Sequence, residues 1–230
     1  MTQLKRSSIS RRDAIAASLA AMSWPGATFA QAADWKPTRP IRLICSQAPG
    51  ASTDATARAY SDYFSQKLGV PVTVENKPGG VGMVAGEAVA RSTPDGTTLL
   101  VSLQSVMAQM PVLIKKPTID PDKDLLPIAA IGVGPVVAST HVDAGFRGPA
   151  YEDLAEMNIL MAPAGTPQII IDTLARLVSA SVTDSARVKS VRETLGADDM
   201  PLVGAELQHF ISRSWPTYRK LSREMGLAAE

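Results

Sequence analysis

Between Ile41 and Ser102, short apolar runs alternate with helical patterns, and this alternation restricts the fold more than any other feature of the chain. "IRLIC" (Ile41 to Cys45) follows Pro40 and reads as a first buried strand. Ala57, Tyr60, Phe64 and Leu68 then recur at helical spacing, and Gly69 with Pro71 stops the pattern. "VTVE" (Val72 to Glu75) is a second strand, "NKPGGVG" a glycine-rich turn, and Ala85, Ala88 and Val89 mark a small-residue helix. "PDG" (Pro94 to Gly96) turns the chain into "TTLLVS", a third strand. Strand, helix, strand, helix, strand at these intervals predicts an α/β fold with a parallel sheet and right-handed crossovers.

Further on, Asp120 to Thr140 begins polar and turns strongly apolar between prolines, which predicts one or two more strands. In "APAGTPQ" (Ala162 to Gln168), Thr166 suits an N-cap and Pro167 the first helical position. Ile170, Ile171, Leu174, Leu177 and Val178 form one apolar face behind it. A second short helix runs through Val188, Val191 and Leu195 to Gly196, and a third from about Ala205 through Phe210 and Ile211. Pro216 falls inside that last pattern and should kink or divide it.

With 230 residues, 45% of them hydrophobic, and a formal charge of +1, the chain can bury a core and has no electrostatic bias toward nucleic acid. Lys5, Arg6, Arg11 and Arg12 precede an apolar stretch from Ala14 to Met22, and small residues surround Ala30 and Ala32. That is the layout of an export signal over residues 1–32, which places the mature chain in the periplasm. "SRRDAI" (Ser10 to Ile15) resembles a twin-arginine signal, and an ordinary Sec signal fits the same residues. Cys45 is the only cysteine, so an intramolecular disulfide is excluded, and it reads as a buried, inert thiol.

The loop between the first strand and the first helix, "CSQAPGASTD", is the best candidate for binding. Ligands of open α/β sheets collect outside the carboxyl ends of the strands, where this loop lies. Pro49 and Gly50 allow close approach of the backbone, and the following helix start offers free N–H groups to a carboxylate or another small anion. Ser52, Thr53 and Asp54 add hydrogen-bonding side chains. The same residues also suffice to close a βα turn and cap a helix with no ligand at all. "PGGVG" (Pro78 to Gly82) lacks the lysine and hydroxyl of a phosphate loop and reads as a flexible turn. His141 and His209 are isolated, no G-x-S-x-G elbow occurs, and nothing argues for a metal, a cofactor or catalysis.

Several segments together resemble one family, the exported solute-binding receptors of tripartite tricarboxylate transporters, also called Bug-type receptors. They are "WKPTRPIRLI" with the opening loop, "LGVPVTVENKPGGVGMVAGEAVARSTPDGTTLL", "DPDKDLLPIA", "THVDAGFRG" and "LMAPAGTP". The resemblance implies a two-lobed α/β receptor, similar to periplasmic binding proteins, that closes on a small carboxylate or related solute and serves the membrane subunits of such a transporter. It implies that Gln47, Pro49, Gly50, Ala51, Ser52, Thr53 and Asp54 face the ligand, with Ser102 after the third strand. Ala51, Met83 and Ser102-Leu103 depart from the family pattern of glycine, asparagine and Gly-Thr.

One part of that pattern is missing. In the family, the strand matching "GPVVAS" (Gly134 to Ser139) leads into the second lobe, yet here Ser139 adjoins Thr140 of "THVDAGFRG". The expected organisation is an export signal (1–32), the N-terminal part of lobe one (33–138), a shortened connection (139–159) and a C-terminal strand and helices packing back on lobe one (160–230). The implied internal deletion is roughly 100 residues, a domain-sized loss. The expected product is a single periplasmic-binding-protein-like lobe with a mainly parallel sheet and a weakened site. An alternative is a regulatory or degenerate lobe whose exposed apolar face pairs with another chain, as in a homodimer.

Overall fold

A computed structural model describes residues 35–135, 155–194 and 201–224. The export-signal reading, the Ser139-Thr140 junction, "THVDAGFRG", His141 and the Leu195-Gly196 helix end lie outside these residues. Five strands form one sheet: β1 (Ile41–Cys45), β2 (Val72–Asn76), β3 (Thr98–Leu103), β4 (Leu125–Pro135) and β5 (Ala155–Pro163), in the order β2-β1-β3-β5-β4. The helices are α1 (Ser52–Leu68), α2 (Met83–Ala90), the short α3 (Ser105–Ala108), α4 (Met110–Leu113) and α5 (Pro121–Asp124), then α6 (Gln168–Asp184), α7 (Ala186–Thr194) and α8 (Gly204–Glu224).

β1 pairs in parallel with β2 on one side and β3 on the other, with Leu43 opposite both Val74 and Leu99. β5 lies antiparallel between β3 and β4. Four strands therefore share one direction and β5 opposes them, so the sheet is mainly parallel with one reversed member.

Alternation along the strands divides the core between two faces. Ile41, Leu43 and Cys45 point to one cluster with Tyr60, Phe64, Leu174 and Val178 of α1 and α6. Ile44 and Leu100 point to the other, with Val89 of α2, Met107 and Met110 of α3 and α4, and Trp215 and Tyr218 of α8. Burial on both faces explains why β1 and β3 read as continuous apolar runs. Among the described residues, Val84 is the one large hydrophobic side chain that stands exposed, so the expected bare apolar face is not found there.

Three boundaries differ from expectation. β5 begins at Ala155 rather than near Leu160. Helix α6 starts one residue later than its cap signal suggests: Pro167 is the N-cap, and the buried Thr166 donates its hydroxyl to the Pro163 carbonyl instead. Pro216 does not divide α8, which runs unbroken from Gly204 to Glu224. Pro216 stands on the exposed side between the buried Trp215 and Tyr218, so the carbonyl one turn back, at the exposed Ser212, can bond to water rather than to a missing N–H. Arg219 fixes the helix by gripping both carboxylate oxygens of Asp122 at 2.9 and 2.8 Å and donating to the Met107 carbonyl at 2.6 Å.

Candidate functional site

The strand order reverses around β1, so the loops leaving β1, β2 and β3 meet at their carboxyl ends. This is the crevice where open α/β sheets hold ligands. A cavity of about 320 Å³ lies there, lined by Ser46 and Gln47 after β1, Gly79, Val81 and Gly82 after β2, and Leu103, Ser105 and Gln109 after β3. No charged side chain lines it. Anything bound in this cup meets hydroxyls, amides and main chain beside the apolar side chains of Val81 and Leu103.

The glycine-rich turn thus forms a wall of the cavity. Gly79, Gly80, Val81 and Gly82 all take positive φ, at 131°, 55°, 52° and 86°, and Val81 is the only non-glycine residue with positive φ among those described. A β-branched side chain is strained in this region, and such strain persists only where surrounding structure enforces it. Gly82 packs so closely that an added Cβ would lie 3.2 Å from the Ser102 hydroxyl and 3.3 Å from Val106.

The opening loop is held from within. Gly50 turns the chain at φ 86°, and its N–H donates to Asp54 at 2.9 Å. Asp54 also accepts from Asn76 at 2.9 Å and from Arg58 at 3.0 Å, and Asn76 donates to the Gln47 carbonyl. Burial alone would push the Asp54 carboxyl up, but the Arg58, Gly50 and Asn76 hydrogen bonds outweigh it and hold the group below the ordinary carboxylate range. Asp54 is thereby the hub of the loop. The buried Thr53 donates to Asn158 at 2.7 Å, tying the same turn to β5.

Of the residues singled out in the sequence, Gln47 lines the cavity. Ser102 lies directly beneath it, fully buried, donating to Ser46 at 2.7 Å. Pro49 and Gly50 are exposed on the loop and Ser52 at the start of α1, Ala51 is the N-cap of α1 and makes no side-chain hydrogen bond there, and Thr53 and Asp54 are buried in the bonds just described. Sequence reasoning passed over Ser46, Ser105 and Gln109. The signal was position for Ser46, which directly follows β1, and for Ser105, two residues beyond β3, whereas Gln109 is brought in by the turn of α3. Cys45 is buried at the end of β1, and burial pushes its thiol up. Among the described residues no group of three or more His, Cys, Asp or Glu could hold a metal ion.

Residues 56–147 match the model of a family described as tripartite tricarboxylate transporter family receptor. That stretch is similar to this receptor family. Curated proteins extend the likeness beyond that stretch. A UPF0065 protein of Bordetella bronchiseptica is 34% identical over 178 residues, covering 75% of this chain and 50% of its own length. The protein BugT of Bordetella pertussis is 37% identical over 114 residues, 47% of this chain and 34% of its own. The chain spans about half the length, or less, of these curated relatives.

Solved structures show the same fold. The periplasmic binding protein BugD superposes with a TM-score of 0.69 at 18% identity, over 84% of this chain and 100% of its own. A Rhodopseudomonas palustris protein solved with adipate gives 0.70 at 18% identity, over 85% and 99%. MatC from Rhodopseudomonas palustris, solved with bound malate, gives 0.60 at 21% identity, over 82% and 96%. The α/β fold described above is the architecture that this chain shares with these neighbours.

Proposed function

We propose that this chain is a periplasmic solute-binding receptor that takes a small carboxylate or related solute, without catalysis, on behalf of the membrane subunits of a tripartite tricarboxylate-type transporter. The observation that carries this reading is the uncharged cavity, lined by hydroxyls and amides together with Val81 and Leu103, at the carboxyl ends of β1, β2 and β3. Its volume of about 320 Å³ lies at the small end of ligand-sized pockets. Ser46, Gln47, Ser105 and Gln109 offer donors to carboxylate oxygens. Neighbours of the same fold were solved with adipate and with malate, which supports a dicarboxylate-sized solute.

The second part of the proposal is that the lobe supplies only one wall. The stretches that match span about half, or less, of the curated relatives' own lengths, and Pro135 and Ala155, the ends of β4 and β5, are partners in one ladder. An inserted lobe would leave and rejoin this sheet at a single point, so its loss would not break the sheet. A small ligand enclosed on one side buries less of its surface than the amount a receptor normally covers, so affinity should be weak.

Isothermal titration of the purified chain with malate, adipate and their diamides tests both parts. The expected result is binding of the acids near or above a Kd of about 1 mM, with weaker binding of the diamides. No heat from any carboxylate overturns the receptor reading. Micromolar binding by the monomer overturns the one-wall part.

A further inference from the structure

The two serines under the cavity have a direction. A serine hydroxyl carries one proton and two acceptor lone pairs. Ser102 spends its proton on Ser46 at 2.7 Å, and Ser102 is fully buried beneath Gly82, where even an added Cβ would stand 3.2 Å from its oxygen. Reversing the bond would leave the Ser102 proton buried and in need of another acceptor, the costly case of an unmade hydrogen bond. Ser46 loses nothing in the observed arrangement, because it lines the cavity and among the described residues no acceptor takes its proton.

We infer that Ser102 and Ser46 form an oriented hydroxyl relay, in which the buried Ser102 acts as a positioning residue and Ser46 presents its proton to the cavity as a donor. The floor of the site therefore favours a ligand that brings a hydrogen-bond acceptor, such as a carboxylate oxygen, over one that brings an amide N–H to the same place. Accepting from Ser102 also polarises the Ser46 hydroxyl, which strengthens its own donation. The ligand class rests on the receptor reading above, whereas the orientation of the two hydroxyls does not.

The orientation is tested without a ligand. In a Ser46→Cys variant, a donating Ser102 would stabilise the thiolate, and in Ser46→Cys/Ser102→Ala that donor is gone. Titration followed by ultraviolet thiolate absorbance, with the unsubstituted chain subtracted to remove Cys45, should place the single variant's thiol about one pH unit below the double variant's. Equal or inverted values overturn the relay. The second arm is calorimetry with malate, adipate and their diamides. Ser46→Ala and Ser102→Ala should each weaken binding of the acids several-fold and narrow the gap to the diamides. Ser102→Ala should add nothing once Ser46 is alanine, while additive losses overturn the relay. If the unsubstituted chain takes neither acid, the receptor reading falls, and the thiol titration still decides the relay.

Discussion

Thr53, in the first turn of α1, donates a 2.7 Å hydrogen bond to Asn158 of β5, across 105 positions of sequence. Asn158 in turn sits against Gly132 of β4, where an added Cβ would lie 3.4 Å from its side-chain nitrogen. One partly buried contact thus joins the start of α1 to both strands on the far side of the sheet. Thr53→Val keeps the shape and removes the donor, leaving the Asn158 oxygen unpaired, so it should cost about 1–3 kcal/mol. Asn158→Ala should cost a similar amount. A double-mutant cycle by urea unfolding should return a coupling of at least about 0.5 kcal/mol, and strict additivity would remove this bond from the account.

Asp54 gives the fold an acid-sensitive element. Its carboxyl is held below the ordinary range in the native state, so its contribution is present above the unfolded value near 3.9 and fades as pH falls through the lower native value. Asp54→Asn should lower the unfolding midpoint at neutral pH, by an amount equivalent to about 1–3 kcal/mol. The gap between variant and parent should then narrow below about pH 4, where the parent's carboxylate begins to protonate. Thermal scans from pH 7 down to pH 3 check this, and a gap that stays constant or widens in acid contradicts it.

The strand and helix alternation was legible in the sequence because each apolar run has a length and a stop that only one element type fits. The reversed direction of β5 was not. A strand buried on both faces looks the same in either orientation, and its direction is set by pairing with β3 and β4, which are distant in sequence. Pro216 misled for a related reason: a proline is costly where its neighbours are packed, and only the fold reveals that it faces solvent. At the site, the loop around Gly50 could be found from its residue types. The roles of Thr53 and Asp54 could not, because Asn158 and Asn76, which occupy them, lie far along the chain. The "PGGVG" turn looked merely flexible, since a left-handed valine has no signature in composition.

Gly82→Ala and Gly50→Ala separate backbone strain from crowding. Both glycines have φ 86°, but a Cβ on Gly50 meets nothing within 4 Å, whereas one on Gly82 meets Ser102 and Val106. Gly50→Ala should cost about 1 kcal/mol from conformation alone. Gly82→Ala should cost about 1–3 kcal/mol more, as side chains in a packed region must shift. Denaturant midpoints with unchanged slopes are the measurement, and equal losses at the two sites would show that the turn has room above Ser102.

Arg219 should matter more than the aspartate it grips. Asp122 is half exposed, so Asp122→Ala loses an ion pair of the weak surface kind, about 1 kcal/mol or less. Arg219→Ala also frees the Met107 carbonyl and strips the stem that packs α8 against α3, so a loss of about 1–3 kcal/mol is expected. Thermal unfolding of both variants checks the order, and a larger loss in Asp122→Ala would reverse the assignment.

The insertion of β5 between β3 and β4 has a consequence for synthesis. A ribosome delivers β3 and β4 before their common neighbour, so a growing chain holds two strands whose facing edges have no partner until residues 155–163 emerge. Open edges of this kind invite pairing with other chains. A nascent chain halted short of Pro163 should therefore depend on holding factors, while one carried past it can close the sheet upon itself.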